Sequence, residues 1–458
     1  MSTVQIIQAS QALLPDGWRA DVEVHVDASG RIVHVGPFAG QATARVALLL
    51  PAPLNLHSHA FQRAMAGLTE ARGPDASDSF WSWRRLMYRF LDQLTPDQVE
   101  AIASLVFMEM LEAGYGAVAE FHYLHHDVGG HPHARLSEMS DRIVAAATRA
   151  GIGLTLLPVH YQFGGCDGRA LAGGQQRFGN DPDRFMALHA EAAQTIAQAS
   201  ADYAIGVAPH SLRAVGPAGL LAIVAANPTG PIHMHLAEQL AEVDEVQAHL
   251  GARPVAWLLA EHAVDARWCL IHCTQMTPDE TRALAATGAV AGLCPLTESS
   301  LGDGIFNGTT YLEAAGRIGF GSDSNIQISL FEELKTLEYS QRLRDRSRAA
   351  LALPGRSTGR VLFDAATAGG AQAGGRQAGQ IAAGQWADLI ALDVENRWLC
   401  NRTGDALLDS LIFSGGGQDC ITDVWSAGRH MVRHGHHVAR DAIMADFVAV
   451  MRQLETQL

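Results

Sequence analysis

Histidine pairs separated by one residue are the first feature of this sequence that points to chemistry. The 458-residue chain contains 21 histidines. They form four His-x-His pairs: His57/His59, His131/His133, His233/His235 and His434/His436. Because residues i and i+2 of an extended strand point to the same side, both imidazoles of a pair can contact one metal ion. The spacing also arises by chance in a histidine-rich chain, so the context must decide between the pairs.

The context favours the first and third pairs. His57 and His59 directly follow the apolar run "LLLPAPLNL", and His235 ends a second run with Glu238 three residues later. A ligand must lie at the mouth of its strand, so we expect His233, two residues earlier on the same predicted strand, to be structural. The pair at 131 and 133 stands in a Gly/Pro loop, and the pair at 434 and 436 in a C-terminal β-region; both are expected to be turn or solvated histidines.

The elements that must position these residues alternate in the middle of the chain. Eight apolar runs are separated by helical segments such as "TPDQVEAIASLVFMEMLEAG", which has Thr95 at the N-cap, Pro96 at N1 and Gly114 past its end. This rhythm predicts an α/β fold, a (β/α)₈ TIM-like barrel over residues 51–374. A doubly wound sheet is the alternative, but no glycine-rich phosphate loop follows the first strand.

Both chain ends are patterned as short strands. "ADVEVHVDASGRIVHVGP" has alternating apolar residues on either side of "DASG", which indicates a β-hairpin. The runs "AGQIAAGQWADLIALDV" and "CITDVWSAGRHMVRHGHHV" are similar. We therefore predict one small, discontinuous β-domain from residues 1–50 and 375–458.

Catalytic groups of a TIM-like barrel lie at the C-terminal ends of its strands. The residues at these positions here are His57, His59, His122, Tyr123, His160, His210, Arg213, His235, Glu238, His272 and Asp323. Three imidazoles (His57, His59 and His235) and the Asp323 carboxylate suit one divalent ion, with Zn²⁺ preferred and iron or manganese left open. The roles of His122, His125, His126 and His160 are not decided.

The other groups then take catalytic roles. The ion would lower the pKa of water and provide hydroxide, while Glu238 would accept a proton and pass it to a leaving nitrogen. The second oxygen of Asp323 would hold the water, and His272 would polarise the electrophilic carbon. Each of these residues also has a structural alternative. Glu238 could be a salt-bridged surface glutamate, Asp323 a turn aspartate and His272 a core histidine. Lys335 is the only lysine, so no carboxylated lysine can bridge two ions and one metal is predicted.

Composition excludes several other classes. A net charge of −15 disfavours nucleic acid and anionic membranes as partners. No uncharged apolar run reaches the ~18 residues of a membrane span. The first residues lack the pattern of a secretory signal, and the six cysteines contain no C-x-x-C pair. We therefore expect a cytoplasmic protein with reduced thiols.

Several motifs carry a family resemblance. "NLHSHAFQRA", "HMHLAE", "CLIHCT" and "GFGSDSN", followed by "AGQIAAGQWADLIALD", resemble the mononuclear deaminase branch of the amidohydrolase superfamily over nearly the whole chain. "FWSWRRLMYRF", "EFHYLHH", "APHSLRAV" and "CPLTESSLGDGIF" are similar to the N-formimino-L-glutamate deiminases of histidine degradation. The resemblance implies a barrel with a small β-sandwich built from both chain ends. It also implies hydrolysis of N-formimino-L-glutamate to N-formyl-L-glutamate and ammonia by a homodimer.

The resemblance also implies site residues. Its metal ligands fall on the four predicted above, and its catalytic Glu and His fall on Glu238 and His272. Its substrate contacts fall on Gln62, Arg84, Tyr123, His210 and Arg213. Either Arg84 or its neighbour Arg85 is the substrate contact. Residues 78–90 either close over the substrate as a lid or cross to another subunit. Arginines suit a dicarboxylate substrate because each forms charge-assisted, forked hydrogen bonds.

Two other functions remain open at this stage. A deaminase of a purine or another heterocycle would use the same ion and Glu238 but would need a flat apolar slot. A barrel that has lost catalysis and serves in assembly is a different class, although such a protein usually lacks several ligands.

Overall fold

The structure is a computed structural model that describes residues 3–68, 70, 87–88 and 90–455. Over these residues the strands are β1 (Thr3–Leu14), β2 (Gly17–Asp27), β3 (Ile32–Pro37), β4 (Ala44–Pro51), β5 (Leu54–Ser58), β6 (Ala117–His122), β7 (Gly153–His160), β8 (Ala204–Ile205), β9 (Ala208–Pro209), β10 (Ile232–Leu236), β11 (Trp268–His272), β12 (Val290–Leu293), β13 (Arg317–Phe320), β14 (Leu389–Leu392), β15 (Ile421–Ser426), β16 (Arg429–Arg433) and β17 (His436–His437).

The α-helices of the same part of the chain lie between and after these strands. They are α1 (Pro96–Glu112), α2 (Glu138–Ala150), α3 (Pro182–Gln198), α4 (Pro217–Ala226), α5 (Leu240–Leu250), α6 (Pro254–Glu261), α7 (Pro278–Ala285), α8 (Pro295–Leu301), α9 (Gly308–Glu313), α10 (Leu330–Asp345), α11 (Thr358–Ala373), α12 (Asp405–Phe413) and α13 (Arg440–Glu455). None of these described helices has both the length and the apolar character needed to cross a membrane.

The two chain ends share one mixed sheet. Its described strands run in the order β17-β16-β15-β14-β4-β1-β2-β3. Val22, Val24 and Val26 of β2 point into a small core that also contains Leu389 and Trp425 from the C-terminal strands. The core of this domain is therefore built from both ends of the chain.

The predicted hairpin joins β2 and β3. The strands pair antiparallel, with His25 opposite His34. The Asp27 carboxylate closes the turn by accepting hydrogen bonds from the backbone amides of Ser29 and Arg31, and Gly30 has a positive φ of 89°. This hairpin prediction is confirmed.

The middle of the chain forms the barrel. Strands β5, β6, β7 and β8 pair in parallel order, β9 adds to β7, and β10 to β13 form a second parallel run. Parallel bridges from Ser58 to Asp323 and from Val207 to Ile232 join the two runs and close the barrel. The predicted α/β fold, a (β/α)₈ barrel with a small β-sandwich domain, is confirmed.

Local signals set the boundaries of α1 as predicted. Thr95 and Gln98 form a reciprocal capping box, Pro96 occupies N1, and the helix ends at Glu112. Gly114 follows with φ 94°, the left-handed conformation in which glycine is favoured. The apolar residues of α1 are buried, and they hold the helix against the barrel.

The last helix, α13, was not indicated by the strand patterning of the C-terminal region. Ile443 of α13 is fully buried against Leu105 and Met108 of α1. The helix therefore covers an apolar face of α1. The division of the chain at residues 50 and 375 stays a prediction.

Candidate active site

Four buried side chains meet at the mouth of the barrel. One potential ligand atom from each of His57, His59, His235 and Asp323 lies within 4.8 Å of the others. Nε2 of His57 is 3.1 Å from Nε2 of His235. Oδ1 of Asp323 is 3.2 Å from Nε2 of His59 and 3.6 Å from Nε2 of His57. The structure thus brings together the four residues for which the sequence predicts a shared ion.

Closure of the barrel holds these residues together. The His59 amide donates to the Asp323 carbonyl, and the Asp323 amide donates to the His57 carbonyl, both at 2.9 Å. Gly321 lies so close to this strand that a Cβ would be 2.7 Å from the His57 backbone. A glycine is therefore required just before Asp323, which itself has a positive φ of 46°.

The donor set fits a cation. Nδ1 of His59 faces the Phe121 carbonyl at 2.9 Å, and Nδ1 of His235 faces the His210 carbonyl at 3.1 Å. Because carbonyl oxygens only accept, both Nδ1 atoms carry protons and both Nε2 atoms present lone pairs. These lone pairs point at another imidazole nitrogen and at a carboxylate oxygen. Lone pairs that converge in this way, with the opposite ring nitrogen of each histidine held by a carbonyl, are typical of histidines that bind a divalent metal.

Burial gives the histidines the protonation state that a metal requires. It lowers the pKa of His59 to about 3 and, together with the neighbouring His59, holds the pKa of His57 well below its usual range. Ligating histidines must be neutral. Burial raises the pKa of Asp323 to about 7, and a bound cation would lower this pKa again because opposite charge favours the ionised form.

Glu238 and His272 lie beside the four potential ligands. Nε2 of His272 is 3.9 Å from Oε1 of Glu238 and 3.8 Å from Oδ2 of Asp323. On the other side of the ring, Nδ1 lies 3.2 Å from Oε1 of Glu298. Burial alone would lower the pKa of His272, but the Glu238 and Glu298 carboxylates outweigh it and raise the pKa to about 10. The two carboxylates thus favour the protonated imidazole.

Arg213 contacts a predicted catalytic group. Its Nη2 is 3.0 Å from Oε2 of Glu238 and 3.8 Å from Oε2 of Glu242. Glu242 is fully buried and accepts hydrogen bonds from the amides of Ala237 and Glu238. Burial opposes the charge of Arg213, but the carboxylates of Glu242 and Glu238 raise its pKa above the usual range.

A cavity that opens to solvent lies next to these groups. Gln62, Tyr123, His210 and Arg213, four of the predicted substrate contacts, line it. Nε2 of Gln62 donates to the Tyr123 hydroxyl at 2.6 Å. Arg84 and its neighbour Arg85 lie outside the described residues, as does most of the segment 78–90.

Other histidines lie outside the cluster. His233 is buried, and its Nε2 donates to the Ala373 carbonyl at 2.8 Å. His122, His125, His126 and His160 are also buried, but they belong to none of the potential metal-binding groups of the described chain. His131 and His436 are exposed.

Sequence reasoning missed Glu242 and Glu298. Both stand on helices, α5 and α8, where an isolated glutamate carries no signal of a role. It also missed Tyr161 and Phe178, which line the cavity. An acidic residue a few positions after a strand-end group, as Glu242 follows Glu238, is the only pattern that could have indicated one of them.

Comparison with known families extends this picture. The model of the amidohydrolase family matches residues 48–431. A second model, described as the N-terminal domain of the formimidoylglutamate deiminase HutF, matches residues 4–44. Together these matches cover the barrel and both parts of the small domain.

Individual relatives agree with the family models. The chain is 47% identical to formimidoylglutamate deiminase of Pseudomonas aeruginosa, over 98% of this chain and 99% of the relative. A crystal structure of an amidohydrolase from Brucella melitensis is 48% identical, with a TM-score of 0.93 over 98% of this chain and 99% of that one. A 5-methylthioadenosine/S-adenosylhomocysteine deaminase of Halobacterium salinarum is 28% identical over 98% of this chain and 95% of that relative. The chain belongs to the amidohydrolase family and, within it, to the family of the formimidoylglutamate deiminases.

Proposed function

We propose that the protein hydrolyses N-formimino-L-glutamate to N-formyl-L-glutamate and ammonia. The observation that carries the proposal is the 47% identity to a formimidoylglutamate deiminase over almost the full length of both chains. The grouping of three histidines and Asp323 beside Glu238 and Arg213 supports it. Hydrolysis of an amidine needs an activated water and a proton relay, and a dicarboxylate needs a cation.

Zinc is the metal we propose for His57, His59, His235 and Asp323. Three imidazoles and one carboxylate are ligands that zinc accepts, and their acceptor atoms converge as ligands of one shared cation do. When bound, the ion supplies Lewis acidity that lowers the pKa of water toward neutrality. We propose a single ion, in keeping with the absence of a lysine other than Lys335 from the sequence.

Glu238 is the proposed proton carrier. Its Oε2 is held by Arg213, which leaves Oε1 on the side of His272 and the four ligands. Oε1 accepts a proton from the water as its oxygen bonds to the amidine carbon, and passes that proton to the imino nitrogen. The second proton of the water follows to the same nitrogen as the carbon–nitrogen bond breaks, and ammonia leaves. The charged His272 donates toward the reacting centre, and Asp323 Oδ2, which faces His272, orients the water.

Arg213 is the proposed partner of a substrate carboxylate. Its guanidinium presents several donors in a planar fork, a geometry that matches a carboxylate. Tyr123, Gln62 and His210 line the same cavity and can donate or accept further hydrogen bonds. We propose that Arg84, which the structure does not describe, binds the other carboxylate.

The purine-type alternative is not favoured. Relatives named as 5-methylthioadenosine/S-adenosylhomocysteine deaminases are 26–28% identical to this chain. This is well below the 47% identity to the formimidoylglutamate deiminase.

Ammonia release tests the proposal. The purified protein is given N-formimino-L-glutamate, N-formimino-glycine, guanine and cytosine at equal concentration. We expect release from N-formimino-L-glutamate at least 100-fold faster than from the others, and its loss in a Glu238→Gln variant. Release from guanine or cytosine alone would replace this function with the alternative one.

Assembly and location are further proposals. By likeness to its family we propose a cytoplasmic homodimer with two structural units, residues 51–374 and the two chain ends together. Sedimentation of the purified protein tests the dimer, since a species of about 49 kDa would be a monomer.

A further inference from the structure

A second group of potential metal ligands lies in the small domain, on the hairpin β2–β3. Glu23, His25 and His34 each offer one ligand atom, and these atoms lie within 4.8 Å of one another. Glu23 and His25 are two residues apart on β2, so their side chains point to the same face. His34 is directly opposite His25 on β3. The pairing of the strands therefore gathers two imidazoles and one carboxylate on one surface of the sheet.

The distances suit a transition-metal ion. Oε1 of Glu23 is 2.9 Å from Nε2 of His25 and 3.9 Å from Nε2 of His34. Donor atoms around a tetrahedral zinc with bonds of 2.0–2.1 Å are about 3.3–3.4 Å apart. The observed separations lie on either side of this value, so rotations of the side chains bring the three donors to one ion without moving the backbone.

The carboxylate is fixed before any ion binds. Oε2 of Glu23 accepts a hydrogen bond from the Ala39 amide at 2.9 Å. That bond turns Oε1 toward the two histidines. The Glu23 side chain is 9% exposed, while those of His25 and His34 are 21% and 54% exposed. The group is thus anchored on the protein side and open to ions from solvent.

Gly36 provides the space for one ligand. It lies opposite Glu23 in the hairpin, and a Cβ at this position would be 2.7 Å from Nε2 of His34. Any larger residue would push the His34 ring away from Glu23. Gly36 has no positive φ, so its close contact with His34 is the feature that an alanine would disturb.

We propose that Glu23, His25 and His34 form a surface binding site for a divalent late transition-metal ion, separate from the centre at the barrel mouth. Imidazole and carboxylate donors suit Zn²⁺, Ni²⁺ and Cu²⁺, with Cu²⁺ the tightest of the three. Three protein ligands leave the remaining positions to water. A bound ion would link the edge strand β3 to β2, and preparations of this protein would then contain more than one metal per chain.

Calorimetric titration of the metal-free full chain with Zn²⁺ tests the site. We expect two binding events for the wild type and for His436→Ala, which removes an exposed histidine from β17 at the opposite edge of the same sheet. His34→Ala should keep only the event at the barrel mouth, with its rate of ammonia release unchanged. Gly36→Ala should weaken the second event at least 10-fold although it removes no ligand.

His235→Ala separates this proposal from the proposed function. That variant should lose the barrel-mouth event and keep the surface event, so each site is measured without the other. A wild type that binds one equivalent, or two equivalents retained by His34→Ala, would overturn the surface site. Unchanged binding by Gly36→Ala would overturn the geometry on which it is built.

Discussion

At the scale of single residues, Arg213 serves two carboxylates of its own protein before any substrate arrives. Its contacts with Glu238 and Glu242 mean that a substrate carboxylate must share the guanidinium with Glu238 or displace it. The proposed function therefore couples substrate binding to the position of the Glu238 carboxylate through one side chain. The sequence predicted Arg213 as a substrate contact but gave no sign of this coupling.

Replacement of Arg213 by lysine tests the coupling. A lysine keeps the charge but cannot hold two carboxylates with a planar fork. We expect kcat/KM for N-formimino-L-glutamate to fall about 100-fold, or about 3 kcal/mol, with KM raised and kcat lowered. Arg169→Lys is the control, since Arg169 is half exposed and pairs with Asp167 and Glu245; it should change kcat/KM less than about twofold.

We expect Glu298 to act through His272. Its Oε1 lies against Nδ1 of His272 and also accepts from the Cys294 amide at 2.8 Å. A neighbouring carboxylate favours the protonated imidazole, so Glu298→Gln should lower the His272 pKa from about 10. The alkaline limb of the kcat profile then moves to lower pH: we expect a loss below about 10-fold at pH 7 and a larger loss at pH 9.

Thermal unfolding separates this role from a structural one. Glutamine retains the shape of the side chain and an oxygen for the Cys294 amide, so the melting temperature should change little. An equal loss of kcat at every pH, accompanied by a lower melting temperature, would show that Glu298 only supports the local fold.

At the scale of elements, the strand ends were predictable and the contacts between loops were not. Apolar runs followed by histidine or aspartate indicated where β5, β10, β11 and β13 end, because barrel strands present their last residues to one face. Glu298 on α8 and Glu242 on α5 reach the site only through the packing of helices around the barrel. The left-handed backbone at His272 and Asp323 likewise follows from closure and not from local preference.

A buried ion network joins the two domains. Arg376, between α11 and β14, lies 2.7 Å from Asp388 and 3.1 Å from Asp202 of the barrel. Arg429 of β16 binds Asp202 at 2.8 Å. The side chains of Arg376, Asp202 and Asp388 are at most 3% exposed. Removal of Arg376 would leave the buried carboxylates of Asp202 and Asp388 without enough positive charge nearby to balance them.

Arg376→Ala should therefore lower the free energy of unfolding by about 3–5 kcal/mol. The measurement is urea denaturation followed by circular dichroism. Arg356→Ala is the matched control, because Arg356 pairs with Asp364 in a half-exposed ion pair that should contribute less than about 1 kcal/mol. If the two variants lost equal stability, the network would not hold the domains together.

At the scale of the whole molecule, distant segments of one chain supply the catalytic centre. The proposed ligands are spread along the sequence from residue 57 to residue 323, and they meet only when β5 and β13 close the barrel. The small domain is formed by the two chain ends, and it contains Glu23, His25 and His34, the proposed surface metal group. In the proposed function, catalysis therefore depends on closure of the barrel and on the barrel-mouth ion alone.

Titration of activity with metal tests this account most directly. His34→Ala protein is freed of metal, and ammonia release from N-formimino-L-glutamate is followed as Zn²⁺ is added. We predict no activity before the first addition, a linear rise, and a break at one equivalent per chain. Full activity in the metal-free protein, or a rise that continues to two equivalents, would contradict it.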